Sequence, residues 1–98
     1  MSFKFQLQPK AEKDLEKIWH YSADKWDIIQ ANKYIDNLVN TFQLIAENPQ
    51  ISREYTEFKP CVRIHPHRKH LVIYIIKEQQ ILIVRILHSS MDIDSHLD

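Results

Sequence analysis

The stretch "HLVIYIIKEQQILIVRILH", residues 70–88, decides the fold of this 98-residue chain. Two apolar, mostly β-branched runs, 70–76 and 81–87, are joined by the polar residues 77–80, and this pattern predicts two adjacent strands. Because the chain contains no glycine, we expect a connection longer than a two-residue turn. Successive side chains on a strand point to opposite sides of the sheet, so both faces of these two strands are apolar.

Upstream of this hairpin, the sequence predicts one strand followed by two helices. Residues 3–8 alternate apolar and polar side chains, the period of a half-buried strand, and Pro9 ends it. Apolar residues at steps of three and four predict a helix after Pro9 and a second helix, which Asp27 and Gln30 begin as a capping box. The short connection makes the helices an antiparallel pair. The first apolar stripe comprises Ala11, Leu15, Ile18, Trp19, Ser22 and Trp26.

The remaining segments complete a single-domain prediction. Residues 48–60 have no sustained period and are predicted to form a loop, whereas residues 61–65 alternate weakly as a strand and Pro66 marks a turn. The fold class is therefore α+β, with an N-terminal strand and an antiparallel helical hairpin on one face of a mostly antiparallel sheet of about four strands. A short C-terminal segment follows. Residues 1–98 provide enough chain for one domain.

Composition limits the classes of protein to which the chain can belong. Apolar residues make up 44% and charged residues 27%, as in ordinary soluble globular proteins. The apolar run 71–76 is far shorter than the roughly 20 residues that cross a bilayer, so we expect no membrane contact. The N-terminal residues carry no signal-peptide core, and the single cysteine, Cys61, suits a reducing compartment. We therefore expect a cytoplasmic protein.

Charge is divided unevenly along a chain whose formal net charge is zero. Residues 59–88 carry 6 basic side chains and a single acidic one, Glu78. The last ten residues carry Asp92, Asp94 and Asp98 without a counter-charge. The basic third suits an acidic partner or a phosphate backbone, although a solvated charged face is the simpler interpretation.

One sheet face is expected to stay partly uncovered, because two helices cover only one side of the sheet. We predict that this face docks a partner through Leu71, Ile73, Ile83 and Leu87. Arg85 would lie on the same face, either contacting the partner or paired with a carboxylate such as Glu57 or a C-terminal aspartate. If Arg85 contacts the partner, the substitution Arg85→Ala is expected to weaken that contact while leaving the fold intact.

Several short motifs follow one another over nearly the whole chain: Ala-x-x-Asp-Leu at residues 11–15, Asn-Pro at 48–49, Val-Arg at 62–63, and Val-Arg-Ile-Leu-His at 84–88 followed by Met-Asp at 91–92. Together and in this order they resemble the ParE branch of the ParE/RelE toxin family. The family usually has glycine where this chain has Ser52 and Ser89. Serine reaches positive φ less easily, so both turns are expected to differ locally.

The resemblance implies a bacterial toxin without cofactor or chemistry of its own, which poisons DNA gyrase by binding it. A cognate ParD-like antitoxin would hold the toxin inactive and would be its only link to DNA. The RelE branch implies a different action, ribosome-dependent cleavage of mRNA. A third possibility is a family member that has lost toxicity and only binds its antitoxin.

Four basic side chains and one tryptophan are the candidate contacts for target or antitoxin: Arg63, Arg68, Arg85, His88 and Trp26. A nuclease would need arginine and histidine at one phosphate, but Arg85 and His88 fall on opposite faces of a regular strand. The C-terminal aspartates would also repel RNA, so no catalytic residue is predicted. Three histidines in residues 65–70 have spacing compatible with a metal, but Pro66 interrupts them, and no metal site is predicted.

Overall fold

The computed structural model describes residues 3–97 and contains five strands, two long helices and one short 3₁₀ helix. Strand β1 (Lys4–Leu7) leads into helices α1 (Pro9–Lys25) and α2 (Ile28–Glu47). Strands β2 (Glu54–Tyr55), β3 (Val62–His67), β4 (His70–Lys77) and β5 (Gln80–His88) follow, and a 3₁₀ turn occupies Asp94–His96. No helix within residues 3–97 has the length and apolarity needed to cross a membrane.

The five strands form one sheet in the order β1-β5-β4-β3-β2. Only β1 runs parallel to its neighbour, β5, and the other three pairings are antiparallel. The predicted α+β class and mostly antiparallel sheet are therefore confirmed. The fifth strand, β2, lies in the segment predicted to be a loop, because a two-residue pairing is too short to show a period.

The helical hairpin is also confirmed, together with its predicted cap. Pro9 occupies the first turn of α1, and the Asp27 carboxylate accepts a hydrogen bond of 2.7 Å from the Gln30 backbone N–H. The indole N–H of Trp19 on α1 donates to the side chain of Asn32 on α2 at 2.8 Å, linking positions on either side of the connection. The buried core between the hairpin and the sheet includes Leu38, Phe42, Ile45, Val72, Tyr74, Ile81, Ile83 and Ile86.

The turn between β4 and β5 is shorter than the longer loop that the sequence predicts there. Lys77 pairs directly with Gln80, so the turn holds only Glu78 and Gln79, with φ of 49° and 62°. A two-residue turn with positive φ matches the twist of the flanking strands. Positive φ is unfavourable for residues that carry a side chain, and here Glu78 and Gln79 adopt it. Pro66 lies within β3, and the turn before β4 has Arg68 at φ 55° instead.

The two turns at which serine replaces the family's glycine need no positive φ. Among residues 3–97, positive φ occurs only at Arg68, Glu78 and Gln79. Ser52 and Ser89 therefore keep ordinary backbone geometry. Ser52 is in addition buried, and its hydroxyl hydrogen-bonds the imidazole of His65 at 3.0 Å.

A bulge in β5 changes which residues share a face. Ile73 pairs with Arg85, but the next residue, Tyr74, pairs with Ile83, so Val84 is an extra residue in β5. Before the bulge, Ile83 packs against the helices, whereas Leu87 after it belongs to a cluster on the other side of the sheet. Ile83 was predicted to share a face with Leu87, and that prediction is wrong, because one inserted residue inverts the alternation.

The sheet face turned away from the helices, here called the outer face, is not bare. Val62, Ile73 and Leu87 are fully buried there. The side chains packed against them include Tyr55 and Phe58 from the segment before β3, and Ile93 and Leu97 from the C-terminal segment. The predicted open docking face is therefore wrong for Ile73 and Leu87, while Leu71 is half-buried. Segments without a period still supply single apolar side chains, which a pattern search does not detect.

Candidate functional site

Arg85 of β5 and Asp14 of α1 form a buried, bidentate ion pair. The guanidinium Nε donates to Asp14 Oδ2 at 2.7 Å and Nη2 donates to Oδ1 at 2.9 Å. The side chains are only 14% and 8% exposed, respectively. The hydrogen bonds to Asp14 raise the pKa of Arg85, and burial acts in the opposite direction. The predicted partners, Glu57 and the C-terminal aspartates, are not the ones used.

Asp14 also closes an open edge of the sheet. The pairing of β1 with β5 ends at Leu7 and Ile83, so the rest of β5 lacks a neighbour on that side. The backbone N–H of Ile86 donates to Asp14 Oδ2 at 2.9 Å, and the carboxylate thus takes the place of a strand carbonyl. The sequence carried a signal for this role, because Asp14 lies between Ala11 and Ile18 on the buried stripe of α1.

Three histidines form a continuous row across the sheet, on the face that α2 covers. His67 pairs with His70, and His70 pairs with His88. Each Nδ1 atom is within hydrogen-bond distance of a hydroxyl: that of Thr41 at 2.7 Å for His67, that of Tyr34 at 2.6 Å for His70, and that of Ser90 at 2.8 Å for His88. Thr41 and Tyr34 belong to α2, so the row fastens this helix to the strands.

The environment of the row lowers the pKa of two of its three histidines, His70 and His67. Burial, followed by the charges of His88 and His67, lowers the pKa of His70 to about 4. Burial also lowers the pKa of His67, and the charge of Arg68 acts in the same direction. His88 Nδ1 also accepts a hydrogen bond from the Ser90 backbone N–H at 3.1 Å.

The three candidate arginines do not converge on one site. Arg63 shares the helix-covered face with its partner Tyr74, and its Nη1 donates to the Ser52 carbonyl. Arg68 lies on the exposed turn before β4, and Arg85 is held by Asp14. After the bulge, Arg85 pairs with Ile73 of the outer face, whereas His88 pairs with His70 under α2, so the predicted opposition of the two side chains is confirmed.

No metal site is formed by the residues that the structure describes. Within residues 3–97, no group of three or more His, Cys, Asp or Glu side chains lies close enough together to hold a metal ion. The histidine row therefore holds protein hydroxyls through its Nδ1 atoms.

The tip of the helical hairpin carries four exposed apolar side chains. Trp26 is 68% exposed and Ile29 is 76% exposed, and Tyr21 and Ile28 beside them are also mostly exposed; these four residues are called the tip patch. The ammonium group of Lys25 lies 5.5 Å from the centroid of the Tyr21 ring and 5.8 Å from that of Trp26. The buried stripe predicted for α1 included Trp26, but α1 ends at Lys25 and the indole lies in solvent.

Comparisons with known proteins converge on one family. Residues 5–93 match the family model described as ParE toxin of type II toxin-antitoxin system, parDE. Toxin ParE1 of Mycobacterium tuberculosis (strain CDC 1551 / Oshkosh) is 36% identical over 98 residues, which cover 99% of this chain and 100% of that protein. Toxin ParE1 of Caulobacter vibrioides is 32% identical over 93 residues, covering 95% of this chain and 96% of that protein.

The fold also matches a solved structure. A chain of the chromosomal ParDE TA system from P. aeruginosa superposes with a TM-score of 0.76 at 18% identity. The match covers 89% of this chain and 96% of that chain. The two proteins thus share the arrangement of helices and strands.

Proposed function

We infer the function of this chain from its family, because it belongs to the ParE toxins of type II toxin-antitoxin systems. We propose that it acts in the cytoplasm by binding DNA gyrase and stopping it after DNA cleavage, without a reaction of its own. We further propose that a cognate ParD-like antitoxin neutralises it by binding, and that the antitoxin provides its only contact with DNA.

The observation that carries this proposal is the engagement of Arg85 by Asp14. A metal-free ribonuclease needs a free cation beside an acid or base at the scissile phosphate. Both oxygens of Asp14 hold the Arg85 guanidinium, and His88 pairs with His70 on the other side of the sheet. Arg63 is turned to the Ser52 carbonyl. Arg85 and His88 are therefore held on opposite faces of the sheet and Arg63 is engaged elsewhere, which favours a toxin that acts by binding.

The tip patch is the surface we propose for contact with gyrase. Aromatic side chains that are exposed in the free protein are typical anchors of protein interfaces, and large exposed apolar patches are uncommon on monomers. Trp26 and Ile29 expose most of their surface at the end of the helical hairpin, where a larger protein can reach them. Arg68, on its exposed turn, remains a further candidate contact.

The experiment that tests the proposal runs two reactions side by side with the purified protein. In the first, gyrase supercoils relaxed plasmid, and we expect loss of supercoiling with accumulation of broken plasmid. In the second, mRNA is translated on ribosomes, and we expect the mRNA to stay intact. Cuts in mRNA at codon spacing, with normal supercoiling, would instead identify a RelE-like endoribonuclease. No effect in either reaction, with the antitoxin still bound, would identify a non-toxic member of the family.

A further inference from the structure

The helical hairpin extends beyond one end of the sheet. The Tyr34 hydroxyl, in the second turn of α2, lies 2.6 Å from Nδ1 of His70, the first residue of β4. From there α2 runs along the sheet to its opposite end, where the Phe3 N–H donates to the Ala46 carbonyl. The hydrophobic core between the hairpin and the sheet takes no side chain from residues 19–33. The tip of the hairpin therefore projects past the strands.

The turn between β3 and β4 lies at the same end of the sheet as the tip. It consists of Arg68 and Lys69, both exposed, between the paired residues His67 and His70; these two cations are called the basic turn. Burial raises the pKa of Tyr34, and the charge of Arg68 opposes this shift. The Arg68 guanidinium thus lies within electrostatic range of α2, the helix that leads to the tip.

The cations of the basic turn have no carboxylate partner. Within residues 3–97, the one ion pair joins Arg85 to Asp14. Residues 59–88 contain a single acidic side chain, that of Glu78, which lies in the turn between β4 and β5 at the opposite end of the sheet. The end of the molecule that carries the tip patch therefore also presents two unpaired positive charges.

The tip patch and the basic turn together fit a protein better than a nucleic acid. Cations beside aromatic rings suit both kinds of partner, since bases stack on aromatic side chains. However, Asp24 and Asp27 lie on either side of Trp26 in the sequence, and their carboxylates repel phosphate. Ile28 and Ile29 expose aliphatic surface, which fills an apolar pocket but offers no ring on which a base can stack.

We propose that the tip patch and the basic turn form one docking surface with two parts, and that gyrase meets it with an apolar pocket bordered by acidic side chains. The apolar side chains of the tip enter the pocket and stabilise the complex. The cations of the basic turn attract the acidic border and orient the encounter. This inference rests on the proposed function, which supplies gyrase as the partner.

The test measures association and dissociation rates of the purified protein on immobilised gyrase holoenzyme. For the double variant Arg68→Glu with Lys69→Glu we expect association at least about tenfold slower at low salt, and dissociation within about twofold of the wild type. The matched control is Lys4→Glu with Lys77→Glu. It changes the net charge equally at the opposite end of the sheet, where both residues pair with Gln80. Its association rate should stay within about threefold of the wild type.

A second variant keeps the test valid if the double variant fails to fold. Lys69→Glu alone leaves Arg68, with its φ of 55°, in place. We expect its association to be about threefold slower than that of the wild type. Rising ionic strength screens exposed charges, so the wild type and this variant should converge at high salt.

The apolar part of the surface is tested by Ile29→Ser. Because Ile29 is 76% exposed, this variant should fold as the wild type does. We expect dissociation about tenfold faster and association about unchanged, since short-range apolar contacts act after the encounter. Gln43→Ser, at an exposed position of α2 away from the tip, should leave both rates as in the wild type.

The outcomes separate this surface from the proposed function. If the wild type binds gyrase and the double variant associates as fast as its control, the basic turn is not part of the interface and the two-part surface is wrong. If the wild type binds a DNA oligonucleotide in the absence of gyrase and the double variant does not, the partner is a phosphate backbone and not an acidic protein surface. If the wild type does not bind gyrase at all, the proposed function fails, together with the inference that rests on it.

Discussion

Asp14 in α1 holds the guanidinium of Arg85, 71 residues further along the chain, through two hydrogen bonds of 2.7 and 2.9 Å. The same carboxylate accepts the backbone N–H of Ile86 at 2.9 Å. One side chain thus neutralises a buried cation and completes the edge of β5, so α1 is fastened to the sheet by charge as well as by apolar packing.

Removing either partner of this ion pair should destabilise the fold. Arg85→Ala leaves a buried carboxylate without its cation, and we expect a loss of about 3 kcal/mol in the free energy of unfolding. Asp14→Ala should cost a similar amount, because Arg85 and the Ile86 N–H both lose their acceptor. Urea unfolding of the two single variants and the double variant measures the coupling, which should be about 1–3 kcal/mol. The exposed control Lys69→Ala should stay within about 0.5 kcal/mol of the wild type.

This expectation replaces the prediction from the sequence that Arg85→Ala would leave the fold intact. That prediction assumed a partly open sheet face, whereas the Arg85 side chain is 14% exposed and paired. An unchanged urea midpoint for Arg85→Ala would show that the pair contributes nothing to stability.

Trp26→Ala should separate stability from activity. The indole is 68% exposed and packs against little of the protein, so the free energy of unfolding should change by less than about 0.5 kcal/mol. If the tip patch anchors gyrase, the concentration needed for half-inhibition of supercoiling should rise about thirtyfold, as for a hot-spot residue of about 2 kcal/mol. The matched control is Gln43→Ala, an exposed residue of α2 away from the tip. Equal inhibition by the two variants would remove the tip patch from the interface.

The histidine row should make stability depend on pH below neutrality. In the folded protein the pKa of His70 is about 4, whereas in the unfolded chain it returns to 6.5. Between these values the unfolded state binds more protons, so the free energy of unfolding should fall as the pH falls from about 6.5 to about 4. The effect is smaller than the full pKa shift implies, because the imidazole is only half-buried and solvent screens its charge.

Urea unfolding at several pH values between 7 and 4 measures this effect. His70→Asn should flatten the decline, whereas His20→Asn, at an exposed position of α1, should leave it as in the wild type. Parallel curves for all three proteins would show that the protons are taken up elsewhere.

Gln79→Gly should stabilise the protein. Gln79 holds φ at 62° in the two-residue turn between β4 and β5, a conformation that costs a side-chain-bearing residue about 1 kcal/mol and glycine almost nothing. We expect a gain of about 0.5–1 kcal/mol, measured as a rise in melting temperature. Gln50→Gly, at an exposed position without positive φ, should lower the melting temperature instead. A loss of stability in Gln79→Gly would mean that the turn tolerates glutamine without strain.

The sequence alone was sufficient for the parts of the fold that repeat a pattern over many residues. The alternation in β1, the apolar stripes of α1 and α2, the cap at Asp27 and the paired runs of β4 and β5 each combine several residues that favour the same structure. The family could also be inferred at that level, because its motifs follow one another along the chain.

Tertiary structure decided whatever depends on a single residue or on distant neighbours. Because Val84 is an extra residue in β5, Ile83 lies on the opposite side of the sheet from Leu87 and not on the same side as predicted. The pairing of Glu54 with Arg63 added a strand that the sequence did not predict. The partner of Arg85 could not be assigned in advance, because a charged pair is set by the proximity of side chains that α1 and β5 bring together. Periodicity reports which side of an element is buried, but only the packed fold determines what covers it, as the C-terminal residues Ile93 and Leu97 do over the cluster that contains Leu87.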